Sequence, residues 1–386
     1  MLAMTGGRII LEDRAVSGKA LLFDERIRGI CGEDEARAAA DEVIDVKGAW
    51  ISPGLIDVHI HGFQGDDVSD ADPEGIRRMA AALLKNGVTS FLPTTMTVAW
   101  DTLEKVFAIL RDLKAESGEK DFRGARILGC HAEGPFINPV RKGAQAPENI
   151  LPPDAEKILR FMDVIRLVTY APEMPGALAF TREIREKSDI VLSVGHTDAT
   201  FGEAMAAVDA GADHFTHTFN AMSPLTGRAP GAVGAALHSN AYCELIADAF
   251  HVDKALFPVL YRVKGDKLCL ITDCLRAGGL SDGEYTLGGQ AFTLRGIQCR
   301  LKDGTIAGSV VRMNQAVRLF REHAGVSTWE AVRAASLVPA RSVRADRTVG
   351  SLAVGKDADI AVMDDDMNVK ETWVGGVRKY CADGKA

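Results

Sequence analysis

The chain has 386 residues, 47% of them hydrophobic and 25% charged, with a formal net charge of −8. That length suits a barrel plus a smaller unit better than one minimal domain, and the composition is that of an ordinary globular enzyme. The negative charge argues against a nucleic-acid partner, and no uninterrupted apolar run is long enough to span a bilayer.

Residues 8–51 read as short strands at 8–12, 20–23, 28–31 and 43–45, bounded by Gly, Asp or Glu, with a short helix over 33–41. This is a small β unit without obvious chemistry. From Leu55 the pattern changes to strand, then helix, repeatedly. Strands are expected at 55–61, 90–94, 127–133, 165–171, 190–196, 214–217, 243–247 and 268–273. Helices are expected at 73–86, 99–116, 153–162, 175–187 and 199–210; the first opens with Pro73 and Glu74 and stops before Gly87. Alternation of this kind implies a parallel sheet, and eight strands imply closure into a (β/α)8 barrel. Residues 278–306, rich in Gly, read as an insertion with a hairpin, followed by helices at 311–323 and 328–335. Past Gly350 short strands return at 360–363, 372–374 and 378–380. The two termini, 1–51 and 350–386, are therefore expected to form one small β-sandwich domain, with the barrel, 52–349, inserted between them.

The N-terminal Met-Leu-Ala-Met-Thr-Gly-Gly-Arg lacks the basic-then-apolar layout of a signal peptide. Seven scattered cysteines with no C-x-x-C pair read as reduced thiols of a cytoplasmic protein, with Cys130, Cys243 and Cys269 as small core residues.

Barrel active sites lie at the C-terminal ends of the strands. There the chain has His59 and His61, Glu133, His196, His217 and Asp273, with Asp248 and His251 shortly after strand seven. Residues two apart on a strand share a side, so His59 and His61 present two imidazoles together, with Asp57 one step deeper. Glu133, His196 and His217 make a three-ligand site with room for water, the composition of a catalytic zinc-type centre. His59 and His61 complete a second metal position or extend the first. A carboxylate such as Asp273 beside that centre can take a proton from water and return it to a leaving group. The loop Phe219-Asn220-Ala221-Met222-Ser223-Pro224-Leu225-Thr226-Gly227-Arg228 offers N–H groups and a guanidinium to an anion, and phosphate suits it. The threonines beside His196 and His217, together with His214, read as support for the ligands, and His131 as facing the barrel interior or sharing the face of Glu133.

Pro53-Gly54-Leu55-Ile56-Asp57-Val58-His59-Ile60-His61-Gly62 resembles the opening motif of the amidohydrolase superfamily. His131-Ala132-Glu133-Gly134-Pro135-Phe136, Lys142-Gly143-Ala144-Gln145, Gly195-His196-Thr197, Thr216-His217-Thr218-Phe219-Asn220-Ala221-Met222 and Ile271-Thr272-Asp273 resemble the N-acetylglucosamine-6-phosphate deacetylases within it. The resemblance implies one or two divalent ions, zinc or iron, with Glu133, His196 and His217 holding the principal one and His59 and His61 the second. It implies Asp273 as general base and acid. It implies substrate contacts from Gln145, Asn220, Ala221, Arg228 and His251, with Arg228 or His251 reaching into the neighbouring subunit of a homodimer. The implied activity is deacetylation of N-acetylglucosamine 6-phosphate. A different N-acetyl amino sugar phosphate, such as the galactosamine epimer, is the alternative, and a non-catalytic scaffold the remote one. Gln145 stands where some members have His, Leu275 and Arg276 where small residues are usual, and Arg312 where Thr is common. These departures bear on substrate fit and leave the metal ligands untouched.

Overall fold

The structure, a computed structural model, describes residues 1–384. Eight parallel strands form its centre: β1 (Leu55–Ile60), β2 (Val88–Thr95), β3 (Cys130–Glu133), β4 (Ile165–Tyr170), β5 (Val191–Val194), β6 (His214–Phe215), β7 (Tyr242–Ile246) and β8 (Leu268–Ile271). Pairing runs in chain order from β1 to β8. The ring closes just past β8. There the Asp273 N–H donates to the His59 carbonyl at 2.8 Å and the His61 N–H to the Cys274 carbonyl at 2.9 Å. Asp57 strengthens this seam by accepting from the Thr272 hydroxyl at 2.6 Å. Its burial pushes the carboxyl up to about 7, against the hydrogen bonds from Thr272 and His59. This is the expected (β/α)8 barrel.

The helices outside the barrel start and stop where their sequences dictate. Asp72 caps Pro73–Leu83 by accepting from the Glu74 N–H, and Gly87, at φ 75°, ends the turn that follows. Thr200 and Glu203 form a reciprocal capping box on Phe201–Ala210. Three further helices escape the periodicity, Gly231–His238, Phe257–Lys264 and Leu337–Ser342. The first is Gly- and Ala-rich and buries six of its eight residues, so it lacks the polar face that makes a helix readable. The expected strand 127–133 is interrupted instead of continuous. Gly129 sits at φ 155°, and a Cβ there would lie 2.8 Å from the Val164 carbonyl oxygen.

Strands from both ends of the chain share one six-stranded sheet, in the order Val377–Cys381, Val369–Val374, Ile360–Met363, Trp50–Pro53, Arg8–Ile10, Ala15–Ser17. A four-stranded sheet faces it, and Met4, Leu21, Phe23 and Ile27 from the one meet Ile9, Ile51, Ile360 and Trp373 from the other. The Phe23 and Trp373 rings meet edge to face at 5.5 Å. Trp50–Pro53 joins this sheet although Pro53-Gly54 reads as the start of the barrel. Pro53 is the last residue of that strand, where a missing N–H is tolerated.

The insertion forms three antiparallel strands, one more than a hairpin: Gly283–Leu287, Gln290–Arg295 and Gln298–Leu301. Leu287, Phe292 and Leu294 pack with Met96, Ala144 and Leu275, which seats this flap over the barrel mouth. All seven cysteines are unpaired, and Cys130, Cys243 and Cys269 are buried. Among the described residues no helix is long and apolar enough to cross a membrane.

Candidate active site

His59 and His61, two residues apart on β1 and its exit, carry buried imidazoles whose Nε2 atoms lie 3.2 Å apart. Glu133 ends β3. Its Oε1 lies 3.2 Å from His196 Nε2, 3.1 Å from His217 Nε2 and 3.3 Å from His59 Nε2, while Oε2 lies 3.4 Å from His61 Nε2. Asp273 Oδ1 lies 3.2 Å from His61 Nε2 and 3.5 Å from His59 Nε2. Six side chains predicted from five stretches of sequence thus meet at one point.

Backbone conformation aims three of them. His196, His217 and Asp273 all have left-handed φ, at 48°, 29° and 49°. That conformation is uncommon for residues other than glycine and costs about 1–3 kcal/mol each. At β5 the turn also needs Gly195, where a Cβ would stand 2.7 Å from that of Thr216.

The outer ring nitrogens of three of these imidazoles face oxygen acceptors. His61 Nδ1 lies 3.2 Å from the Thr94 carbonyl oxygen, and His196 Nδ1 lies 2.9 Å from that of Arg141. His59 Nδ1 lies 2.9 Å from Glu244 Oε2. Burial pushes the Glu244 carboxyl up, but His59 outweighs burial and holds it ionised. Carbonyls and carboxylates only accept, so the Nδ1 of His59, His61 and His196 donates and their Nε2 faces the cluster, while His217 Nδ1 has no partner. His196 Nε2 and His217 Nε2 approach to 3.1 Å, and Glu133 Oε1 is equally near. Ring nitrogens and a carboxylate oxygen packed this closely have the spacing of a cation's ligands. Ligand bonds of about 2.0–2.1 Å in a tetrahedron give ligand separations of about 3.3 Å. The residues fit a divalent ion, and three groups are compact enough to hold one: His59, His61 and Glu133; Glu133, His196 and His217; and, one layer deeper, His59, His131 and Glu244.

Beneath the cluster lies a polar bed inside the barrel. His131 Nε2 meets the Thr169 hydroxyl at 2.7 Å, which meets that of Thr216 at 2.6 Å, which meets that of Ser193 at 2.5 Å. Ser193 reaches His214 Nδ1 at 3.2 Å. Burial lowers the pKa of His131 and His214, more strongly for His131, where the nearby His59 also contributes. Glu244 completes the bed. Sequence reasoning missed it, although a carboxylate inside the apolar run 243–247 was the available signal.

Above the cluster opens a cavity of about 400 Å³, whose lining includes His61, Asp273, Asn220, Ala221, Gln145 and His251. Burial pushes the Asp273 carboxyl up, but His59 and His61 outweigh that and hold it below the usual carboxylate range. Gln145 is engaged at both ends: its amide donates to Glu133 Oε2, and its oxygen accepts from the Thr97 N–H at 2.6 Å. His251 Nδ1 lies 2.7 Å from Asp248 Oδ2, and Nε2 lies 3.1 Å from the Ala307 carbonyl of the flap. Burial disfavours its charge, but Asp248 outweighs burial and raises its pKa. Arg228 lies on the exposed stretch 224–229 and is not part of the lining. Arg276 turns to Asp70 at 2.8 Å, and Arg312 precedes the helix Met313–Ala324, so neither enters the cavity lining; Leu275 does.

The fold and site define a barrel hydrolase with a histidine–carboxylate cluster at its mouth that is spaced to hold a metal. Residues 50–379 match the Amidohydrolase family, and the chain belongs to it. Its sequence is 38% identical over 368 residues to the N-acetylglucosamine-6-phosphate deacetylase of Bacillus subtilis (strain 168), covering 94% of this chain and 92% of the relative. It is 37% identical over 331 residues to the N-acetylgalactosamine-6-phosphate deacetylase of Escherichia coli O157:H7, covering 84% and 86%. In structure it resembles the N-acetylglucosamine-6-phosphate deacetylase from Pasteurella multocida with a TM-score of 0.91 at 31% identity, covering 98% of this chain and 99% of that one.

Proposed function

We propose that the chain hydrolyses the acetamide of N-acetylglucosamine 6-phosphate to glucosamine 6-phosphate and acetate. The observation that carries this reading is the convergence of the Nε2 atoms of His59, His61, His196 and His217 on Glu133 beside an ionised Asp273, under a cavity of sugar size. Full-length similarity to deacetylases supports the substrate class.

Glu133, His196 and His217 would hold the principal ion, zinc or iron, and His59 and His61 the second. When bound, such an ion polarises a carbonyl and lowers the pKa of water. Asp273 Oδ accepts the proton of the attacking water as the C–O bond forms. It returns that proton to the amide nitrogen as the C–N bond breaks, so free amine and acetate leave. Gln145 keeps Glu133 from rotating. Asn220, the Ala221 backbone and a protonated His251 supply polar contacts and positive charge for the sugar phosphate, which fixes the acetyl group over the reacting centre. Arg141, the one guanidinium lining the cavity among the described residues, is paired with Asp198 at 2.8 Å. A homodimer in which Arg228 reaches the partner's cavity would add the missing cation. Seven unpaired cysteines suit a reducing cytoplasm.

The similarity to a galactosamine-type deacetylase favours the epimer as a second reading. Comparing kcat/KM on the two sugar phosphates decides between them. A value at least tenfold higher for the glucosamine epimer is expected, and the reverse ratio would replace the first reading with the second.

A further inference from the structure

Three of the four imidazoles at the mouth have a partner on Nδ1, and His217 Nδ1 has none. His61 and His196 give their Nδ1 protons to backbone carbonyls, of Thr94 and Arg141, which no side-chain substitution removes. His59 alone gives its proton to a side chain, Glu244, at 2.9 Å. His59 and Glu244 are both fully buried, on β1 and β7 across the barrel interior. The same Glu244 Oε2 accepts the His217 backbone N–H at 2.8 Å, so the carboxylate is fixed from a second direction. Its other oxygen has no hydrogen-bond partner, and the nearest imidazole nitrogen, His214 Nδ1, stands 3.7 Å away. A fully buried carboxylate with one oxygen left without a partner is costly, so packing gives no reason for it. It does have a reason if His59 must present a basic, inward-facing Nε2. A carboxylate on the remote nitrogen fixes the tautomer and ring angle of a ligand histidine and raises its basicity.

We propose that Glu244 is the positioning residue that makes His59 a metal ligand, and thereby sets whether the chain holds one ion or two. This rests on the reading of the mouth as a metal centre. Without the carboxylate the His59 ring is free to flip or to move its proton to Nε2, and the second position loses a ligand. The Glu133–His196–His217 group keeps its three side chains and loses only the acceptor of the His217 backbone N–H.

The test is a zinc titration of the full-length protein, with elemental analysis, for wild type, Glu244→Gln and Glu244→Met. Wild type should bind two zinc ions per chain. Removing such a partner typically costs about 10–100-fold in metal affinity. Glu244→Met, which fills the space without an acceptor, should therefore weaken the second ion by about that factor and the first ion, whose His217 loses only the acceptor of its backbone N–H, by clearly less. Glu244→Gln keeps an acceptor oxygen but loses the charge, and should fall between, with the second ion weakened about tenfold. Second-ion affinity at the wild-type value in either variant would overturn the proposal. So would equal weakening of both ions, the mark of a merely structural role, or a wild type that binds one ion at saturating zinc. If Glu244→Met does not fold, Glu244→Gln decides by the same criteria. Two ions that respond as expected in a protein releasing no acetate would leave the role of Glu244 standing and end the deacetylase reading.

Discussion

The barrel mouth and the terminal β-sandwich follow opposite rules. The sandwich is a layer of Met4, Leu21, Phe23, Ile51, Ile360 and Trp373 between two sheets. The mouth gathers buried carboxylates and imidazoles and bends His196, His217 and Asp273 into left-handed backbone. The sandwich is what burial of apolar surface favours. The mouth is held against local preference by the packed strands around it, and such strain persists only where the surroundings over-determine it. Substitutions in the two regions should therefore separate stability from activity.

The largest effect is expected at the mouth. Asp273→Asn should lower kcat by about 10²–10⁴-fold, the range for losing a general acid–base group. Metal content should be preserved. A rate within a few-fold of wild type would remove Asp273 from the chemistry. The converse effect is expected in the sandwich. Phe23→Ala deletes a fully buried ring that packs on Trp373 and should destabilise by about 3–5 kcal/mol in chemical denaturation. Its kcat/KM per folded molecule should match wild type, and a parallel loss of kcat/KM would show that the two regions are coupled.

The smallest effect concerns His251. Its folded pKa is raised above the usual value of about 6.5. The charge is therefore complete below that value and lost as pH rises through the raised one. The stability that it contributes follows the same window. KM for the sugar phosphate should climb on the alkaline side of that window in wild type. In His251→Gln it should be higher throughout and flat over the same range.

Much of this architecture is readable from the chain. Alternating apolar and amphipathic segments announce the barrel, and the parity of His59 and His61 is enough to put both imidazoles on one side. What escapes has physical reasons. Backbone at positive φ leaves no trace in a His or an Asp, so the aim of His196, His217 and Asp273 emerges only in three dimensions. Gly231–His238 is buried almost all round and so has no periodicity to detect. Gln145 reads as a substrate contact from its motif, yet its amide is engaged by Glu133 and Thr97. Glu244 sits in a run of strand residues, and its partner His59 is 185 positions away.

The most direct test of the central claim is acetate release from N-acetylglucosamine 6-phosphate by the purified protein, with bound metal counted before and after chelation. The expected result is one acetate and one glucosamine 6-phosphate per substrate consumed, loss of turnover on chelation, and recovery when a divalent ion is restored. Absence of acetate from metal-loaded protein, with either epimer as substrate, would contradict it.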